Sequence, residues 1–211
     1  MRVIACTLLI IVGGLPSPLL GADEAPLRAY FESVTRLTGS FEQTTRDERD
    51  QVVERSTGTF SLARPDRFHW FYQTPFEQRL VSDGDWLYSH DIELSQVTVR
   101  PLEEVLGVGP AVVLSGDFSD LKASFRISAG EQDGWYRLEP RDADWDFQSV
   151  RLRLDDGIPD VVAVNDGLGQ TTRLELADLE RNPDIPEARF RFEIPDGVDV
   201  IAPDEFDAAE R

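Results

Sequence analysis

The chain has 211 residues, with Lys+Arg 21 against Asp+Glu 40, a formal net charge of -19 and 41% hydrophobic residues. That balance argues against a nucleic-acid surface, which needs a basic face, and against unaided adsorption to anionic headgroups, since like charges repel. The apolar content is enough for one core, and the acidic excess reads as a solubility or salt adaptation, with electrostatic steering as the alternative.

In chain order, Met1-Arg2, an apolar run over residues 3–15 and the exit Leu19-Leu20-Gly21-Ala22 read as a signal peptide, residues 1–22, with cleavage after Ala22. The run is shorter than the ~20 residues of a spanning helix. The single cysteine, Cys6, would leave with it, so the remaining domain, residues 23–211, is expected to hold no disulfide, no thiolate metal site and no lipidated anchor.

Asp23 as N-cap, Pro26 in the first turn, and Leu27, Tyr30, Phe31, Val34 and Leu37 at helical spacing predict an amphipathic helix ending at Gly39. The period then changes to two over residues 41–45, 52–62, 68–72, 78–81, 86–90 and 96–99, with turns at Arg64-Pro65-Asp66, Thr74-Pro75 and Ser82-Asp83-Gly84. Short helical pieces are expected over residues 101–106 and 109–114. Strands resume over residues 121–127, 135–139, 150–154, 161–165, 171–176 and 189–194, and an acidic tail after Pro203 reads as frayed. The expectation is a mainly β fold of about eleven antiparallel meander strands, curled into a sandwich, barrel or open half-barrel, whose concave face the short helices can cover.

No catalytic motif stands out. His69 and His90 are the only imidazoles, and His69, between Phe68 and Trp70 on a strand, is expected to face away from them. The rival reading as a small secreted hydrolase rests on these two histidines. Asp155-Asp156 and Asp83/Asp85 border glycines and read as turn formers, not as calcium ligands, so no metal or other cofactor is expected. Phe68, Trp70 and Tyr72 alternate on one strand and share a face with Phe60 and Leu80, as either an ordinary sheet core or a cavity wall.

Five segments in the same order resemble the outer-membrane lipoprotein carrier (LolA) family: Arg64-Pro65-Asp66-Arg67-Phe68-His69-Trp70, Leu80-Val81-Ser82-Asp83-Gly84, Leu94-Ser95-Gln96-Val97-Thr98-Val99, Asp166-Gly167-Leu168-Gly169-Gln170-Thr171 and the run from Phe190 to Val200. The resemblance implies an open antiparallel half-barrel of about eleven strands under a helical lid. It implies a monomeric periplasmic chaperone, not an enzyme, whose apolar cavity shields lipoprotein acyl chains between an inner-membrane lipoprotein-releasing ABC transporter and an outer-membrane receptor.

By position, Arg64 matches the family arginine that holds the lid shut. Phe68 matches an aromatic needed for handling lipoproteins, and Trp70 is its neighbour on the same face. On this reading the cavity candidates are Phe60, Phe68, Trp70, Tyr72 and Leu80 on the sheet and Leu106, Val112, Val113 and Leu114 on the lid. His90 stands where the family usually has tyrosine, and Ile92 where it has proline. The alternative is a related periplasmic lipid- or glycolipid-binding protein, or a lipoprotein sensor, of the same fold.

Overall fold

The structure is a computed structural model that describes residues 24–105, 110–142, 145 and 147–206. The signal-peptide reading of residues 1–22, Cys6, the Asp23 cap, Leu106 and the tail beyond residue 206 lie outside the described residues, as does the side chain of Val112.

One helix, α1 (Ala25–Ser33), precedes six strands, β1 (Arg36–Arg46), β2 (Val52–Ala63), β3 (Arg67–Thr74), β4 (Gln78–Asp83), β5 (Trp86–Asp91) and β6 (Gln96–Pro101). A 3₁₀ turn (Leu102–Val105), α2 (Pro110–Ser115) and α3 (Phe118–Ser124) follow. A second run of strands comes next, β7 (Phe125–Ala129), β8 (Trp135–Pro140), β9 (Ser149–Asp155), β10 (Ile158–Asn165) and β11 (Thr171–Arg181). A 3₁₀ turn (Glu187–Phe190) and the short β12 (Asp199–Ile201) end it.

The twelve strands of the described residues belong to one sheet in the order β12-β6-β5-β4-β3-β2-β1-β11-β10-β9-β8-β7. Two meanders are thus joined through β1, which pairs antiparallel with both β2 and β11. The end strands β12 and β7 do not pair with each other, so the sheet stays open. Mid-strand Gly58 marks its tightest approach, since a Cβ there would lie 2.0 Å from the Phe71 carbonyl oxygen and 2.7 Å from the Phe41 ring. Only a residue without a side chain lets β2 and the Phe41 ring sit so close.

Three predicted elements are corrected. The first helix stops at Ser33 rather than Gly39. There Asn182, at the end of β11, accepts from the backbone N–H groups of Thr35 (2.8 Å) and Arg36 (3.1 Å) and donates to the Ser33 carbonyl (2.9 Å). Val34 and Leu37 are buried as foreseen, but in extended chain, where Leu37 lies opposite Leu62.

Residues 121–127 are not a strand throughout. Asp117 caps α3 by accepting from the Asp120 N–H at 2.9 Å, and pairing starts only at Phe125. Residues 189–194 form no ladder. Their alternating aromatics lie in a segment that crosses the outer face of β3–β6 and reaches the sheet only as β12, parallel to β6. The tail after Pro203 is ordered at least to Phe206, whose ring stands 5.1 Å from that of Trp86.

The main core lies on the inner face, where α1, α2 and α3 pack onto both meanders. The outer face of β4–β6 holds a smaller cluster of Val81, Trp86, Tyr88, Val97 and Val99, against which Phe192, Val198 and Phe206 pack. On the second meander the outward positions are charged, paired as Arg137 with Glu139 (2.9 Å) and Arg173 with Glu175 (3.0 Å), so that half of the outer face is wet.

Candidate functional site

The alternation of β3 sends Phe68, Trp70 and Tyr72 to the inner face and Arg67, His69 and Phe71 to the other. On the inner face the Trp70 ring stacks on Phe60 at 4.7 Å and meets Phe41 at 5.0 Å, while Phe41 meets Tyr72 edge-on at 5.1 Å. Tyr72 donates to Gln43 Oε1 at 3.1 Å, and burial, with Glu54 nearby, pushes its phenol up to about 12.

Of the residues expected at the acyl-chain site, Phe60, Phe68, Trp70, Val113 and Leu114 are buried, and Tyr72 and Leu80 are half-buried against the same cluster. They are brought together by the helices that cover them. Leu27, Tyr30 and Phe31 of α1, Leu114 of α2, and Phe118 and Leu121 of α3 all belong to this cluster. In this closed arrangement the aromatic face is interlocked with its cover. A cleft of about 590 Å³ opens beside it, between the β4–β5 turn, the end of β6, and α3 with the start of β7. Among the expected residues that are described, Val113 lines that cleft, together with Trp86, Leu102, Leu121, Phe125 and Trp145 and the carboxylates of Asp66, Asp85 and Asp120.

Arg64 joins the sheet to the cover at two points. It follows the end of β2; its Nε donates to the Val34 carbonyl at 2.8 Å, just past α1, and its Nη1 donates to the Gly116 carbonyl between α2 and α3. Its guanidinium also stands 4.3 Å from the Phe31 ring centroid and 4.9 Å from that of Tyr30. The backbone repeats the tie, with Arg64 N–H donating to the Thr35 carbonyl (2.8 Å) and Asp66 N–H to the Ser115 carbonyl (3.1 Å).

Burial lowers the Arg64 pKa and raises that of Tyr30, while each group opposes the shift of the other. Even so, Tyr30 Oη and Arg64 Nη2 are buried and neither has a partner in hydrogen-bond geometry. Asp66 is pushed up by burial and by the neighbouring Asp120 and Asp117.

His69 and His90 lie on the outer face, away from the aromatic row. Burial, with Arg189 and Arg79 nearby, holds His69 down at about 4, and the His90 ring stands 5.8 Å from Phe192. Ile92 sits in the β5–β6 turn, donating its N–H to the Glu77 carbonyl at 3.2 Å. Among the described residues no group of three or more His, Cys, Asp or Glu side chains could hold a metal ion, and no helix is long and apolar enough to cross a membrane.

Sequence reasoning missed Tyr30 and Asn182 as junction residues. Tyr30 reads only as one of five apolar helix positions, and Asn182 falls between two predicted strands without being singled out. Nothing local marks either, because their partners lie 34 and about 147 positions away.

These features define a class: an open β half-barrel whose inner face is covered by short helices, with one buried arginine hydrogen-bonded between sheet and cover. Residues 32–193 match the family model described as outer membrane lipoprotein carrier protein LolA, and the chain belongs to that family. An outer-membrane lipoprotein carrier protein of Halorhodospira halophila is 46% identical over 178 residues, 84% of this chain and 85% of the relative. Another, of Alkalilimnicola ehrlichii, is 46% identical over 180 residues, 85% of this chain and 84% of the relative. The crystal structure of an uncharacterized conserved protein from Thermus thermophilus shares the fold, with a TM-score of 0.53 at 12% identity over 85% of this chain and 98% of that one.

Proposed function

We propose that this protein is a monomeric periplasmic chaperone without catalytic activity. On this reading residues 1–22 direct export, and the domain takes lipoproteins from an inner-membrane lipoprotein-releasing ABC transporter to an outer-membrane receptor. The acyl chains lie against Phe60, Phe68, Trp70, Tyr72 and Leu80, beneath Val113 and Leu114. The observation that carries the reading is the tie of Arg64 to two carbonyls of the cover, Val34 and Gly116, beside an apolar face.

The energetics favour a cover that competes with cargo. Burying an acyl chain is worth ~0.8 kcal/mol per methylene, so about fifteen methylenes contribute roughly 12 kcal/mol. Two or three such chains would exceed the practical ceiling of about 18–21 kcal/mol and would never leave. A cover whose side chains fill the same face offsets that gain. Cargo must displace Leu114, Phe118 and Leu121 from contact, and release is driven by their return.

The test is to purify the protein from periplasm and identify what copurifies by mass spectrometry. Lipoproteins bearing diacylglyceryl-modified N-termini are the expected cargo. Recovery of glycolipid alone would replace this reading with that of a glycolipid carrier of the same fold.

A further inference from the structure

We propose that Arg64 and Tyr30 form a carbonyl-binding subsite, which takes the ester oxygen of a fatty-acyl glyceryl group when α2 and α3 move away from the sheet. This rests on the carrier reading and adds to it a polar recognition element inside an otherwise apolar site.

Arg64 is held from two sides that belong to different elements. The Val34 carbonyl comes from the end of α1, and the Gly116 carbonyl from the connection between α2 and α3. If α2 and α3 lift while α1 stays, Nε keeps its partner and Nη1 loses its own. Nη2 and the Tyr30 hydroxyl are already buried without partners, and Tyr30 is only 1% exposed. Opening therefore frees Nη1 beside two buried donors that already lack partners in hydrogen-bond geometry.

A donor kept from water and left unpaired is costly, so the open, loaded state needs an acceptor there. Acyl tails have none, but the ester carbonyls at their heads are acceptor-only groups with two lone pairs each. The surrounding charge selects against an anion. Asp66 and Asp117 both act on Arg64, and Asp120 acts on Asp66, so a phosphate would meet three carboxylates where a neutral ester meets none of that repulsion. The exchange also couples opening to the right cargo, because the ester replaces the Gly116 oxygen that departs.

Two lipids of equal chain length separate recognition from burial: a diacylglycerol, with ester carbonyls, and the matching dialkylglycerol, with ether links. Both are titrated against an apolar fluorophore bound to the whole exported protein. The wild type is expected to bind the diester about tenfold more tightly. Tyr30→Phe keeps the ring beside Arg64 and removes the hydroxyl, and the ratio is expected to fall to about threefold or less. A wild-type ratio within about twofold of one, with both lipids bound, would overturn the subsite and leave the carrier reading standing. So would a ratio that Tyr30→Phe leaves unchanged. Failure to bind either lipid would remove the carrier reading and the subsite with it.

Discussion

On the inner face, α1, α2 and α3 press Tyr30, Phe31, Leu114, Phe118 and Leu121 onto a row of stacked aromatics, and one buried arginine side chain reaches two backbone carbonyls of the cover. On the outer face the first meander is covered by the extended segment after β11, which has its own anchors. Ile185 and Phe190 pack beside Ala63, and Phe192, Val198 and Phe206 pack on the cluster around Tyr88. Glu187 pairs with Arg36 at 3.3 Å and also with Arg67, and β12 joins the edge of β6. The polar ties of the inner cover thus gather around Arg64 and the adjoining backbone, and the one from Nη1 to the Gly116 carbonyl is a bond that a competing acceptor can replace. The outer cover is spread over anchors that nothing in the proposed cycle needs to release. Covering an apolar face is a matter of area; making the cover removable is a matter of where its polar ties converge.

That contrast can be broken in four places. The largest expected effect is on the inner face, where Trp70→Ala empties the centre of the stack with Phe60 and Phe41. It should cost about 4 kcal/mol in urea unfolding. A loss under about 1 kcal/mol would mean the face is loosely filled, and the interlocked inner core would have to be abandoned.

Next comes Arg64→Leu, which leaves the Val34 and Gly116 carbonyls without their donor. The local opening of α2 and α3 should become easier by about 2 kcal/mol, or roughly 30-fold faster hydrogen exchange at the Leu121 amide, while the amides of β12 keep their protection. Transfer of lipid to the receptor should slow, since closure no longer drives release. A variant that transfers at the normal rate would remove Arg64 from the cycle.

Phe206→Ala should be milder, about 1–2 kcal/mol, because it trims one edge-on anchor from a smaller cluster. The loss should appear as faster exchange in β12 and β6, with lipid binding unaltered. If lipid binding fell with it, the two covers would be coupled and the contrast would fail.

The smallest effect concerns His69. Its folded pKa of about 4 lies below the ordinary 6.5, so between those values the unfolded chain takes up a proton that the fold refuses. Stability from this group is therefore full above pH 6.5 and is lost as pH falls toward 4. His69→Gln should flatten the slope of stability against pH in that window by a small amount, the ring being only half-buried. An unchanged slope would show that the outer cover is not acid-sensitive through His69.

Local pattern determined a good part of this molecule. The period-two runs located most of the strands, and turn residues such as Asp83-Gly84 placed the joints. Alternation along β3 assigned Phe68, Trp70 and Tyr72 to one face and His69 to the other, because side-chain direction in a strand follows from its geometry alone. Resemblance to the carrier family, not local pattern, pointed to Arg64, the arginine that sits between helix and sheet. Tertiary structure decided the rest. Asn182 ends α1 six residues before Gly39 by capturing amides at the start of the neighbouring strand β1, and Asp117 turns an apparent strand into α3. Phe190 and Phe192 alternate as a strand would, yet they lie across the sheet as anchors. Periodicity records which side of a segment avoids water, but not what arrives to cover it. Whether the aromatic face is a filled core or a site with a removable lid depends on partners brought together from distant parts of the chain.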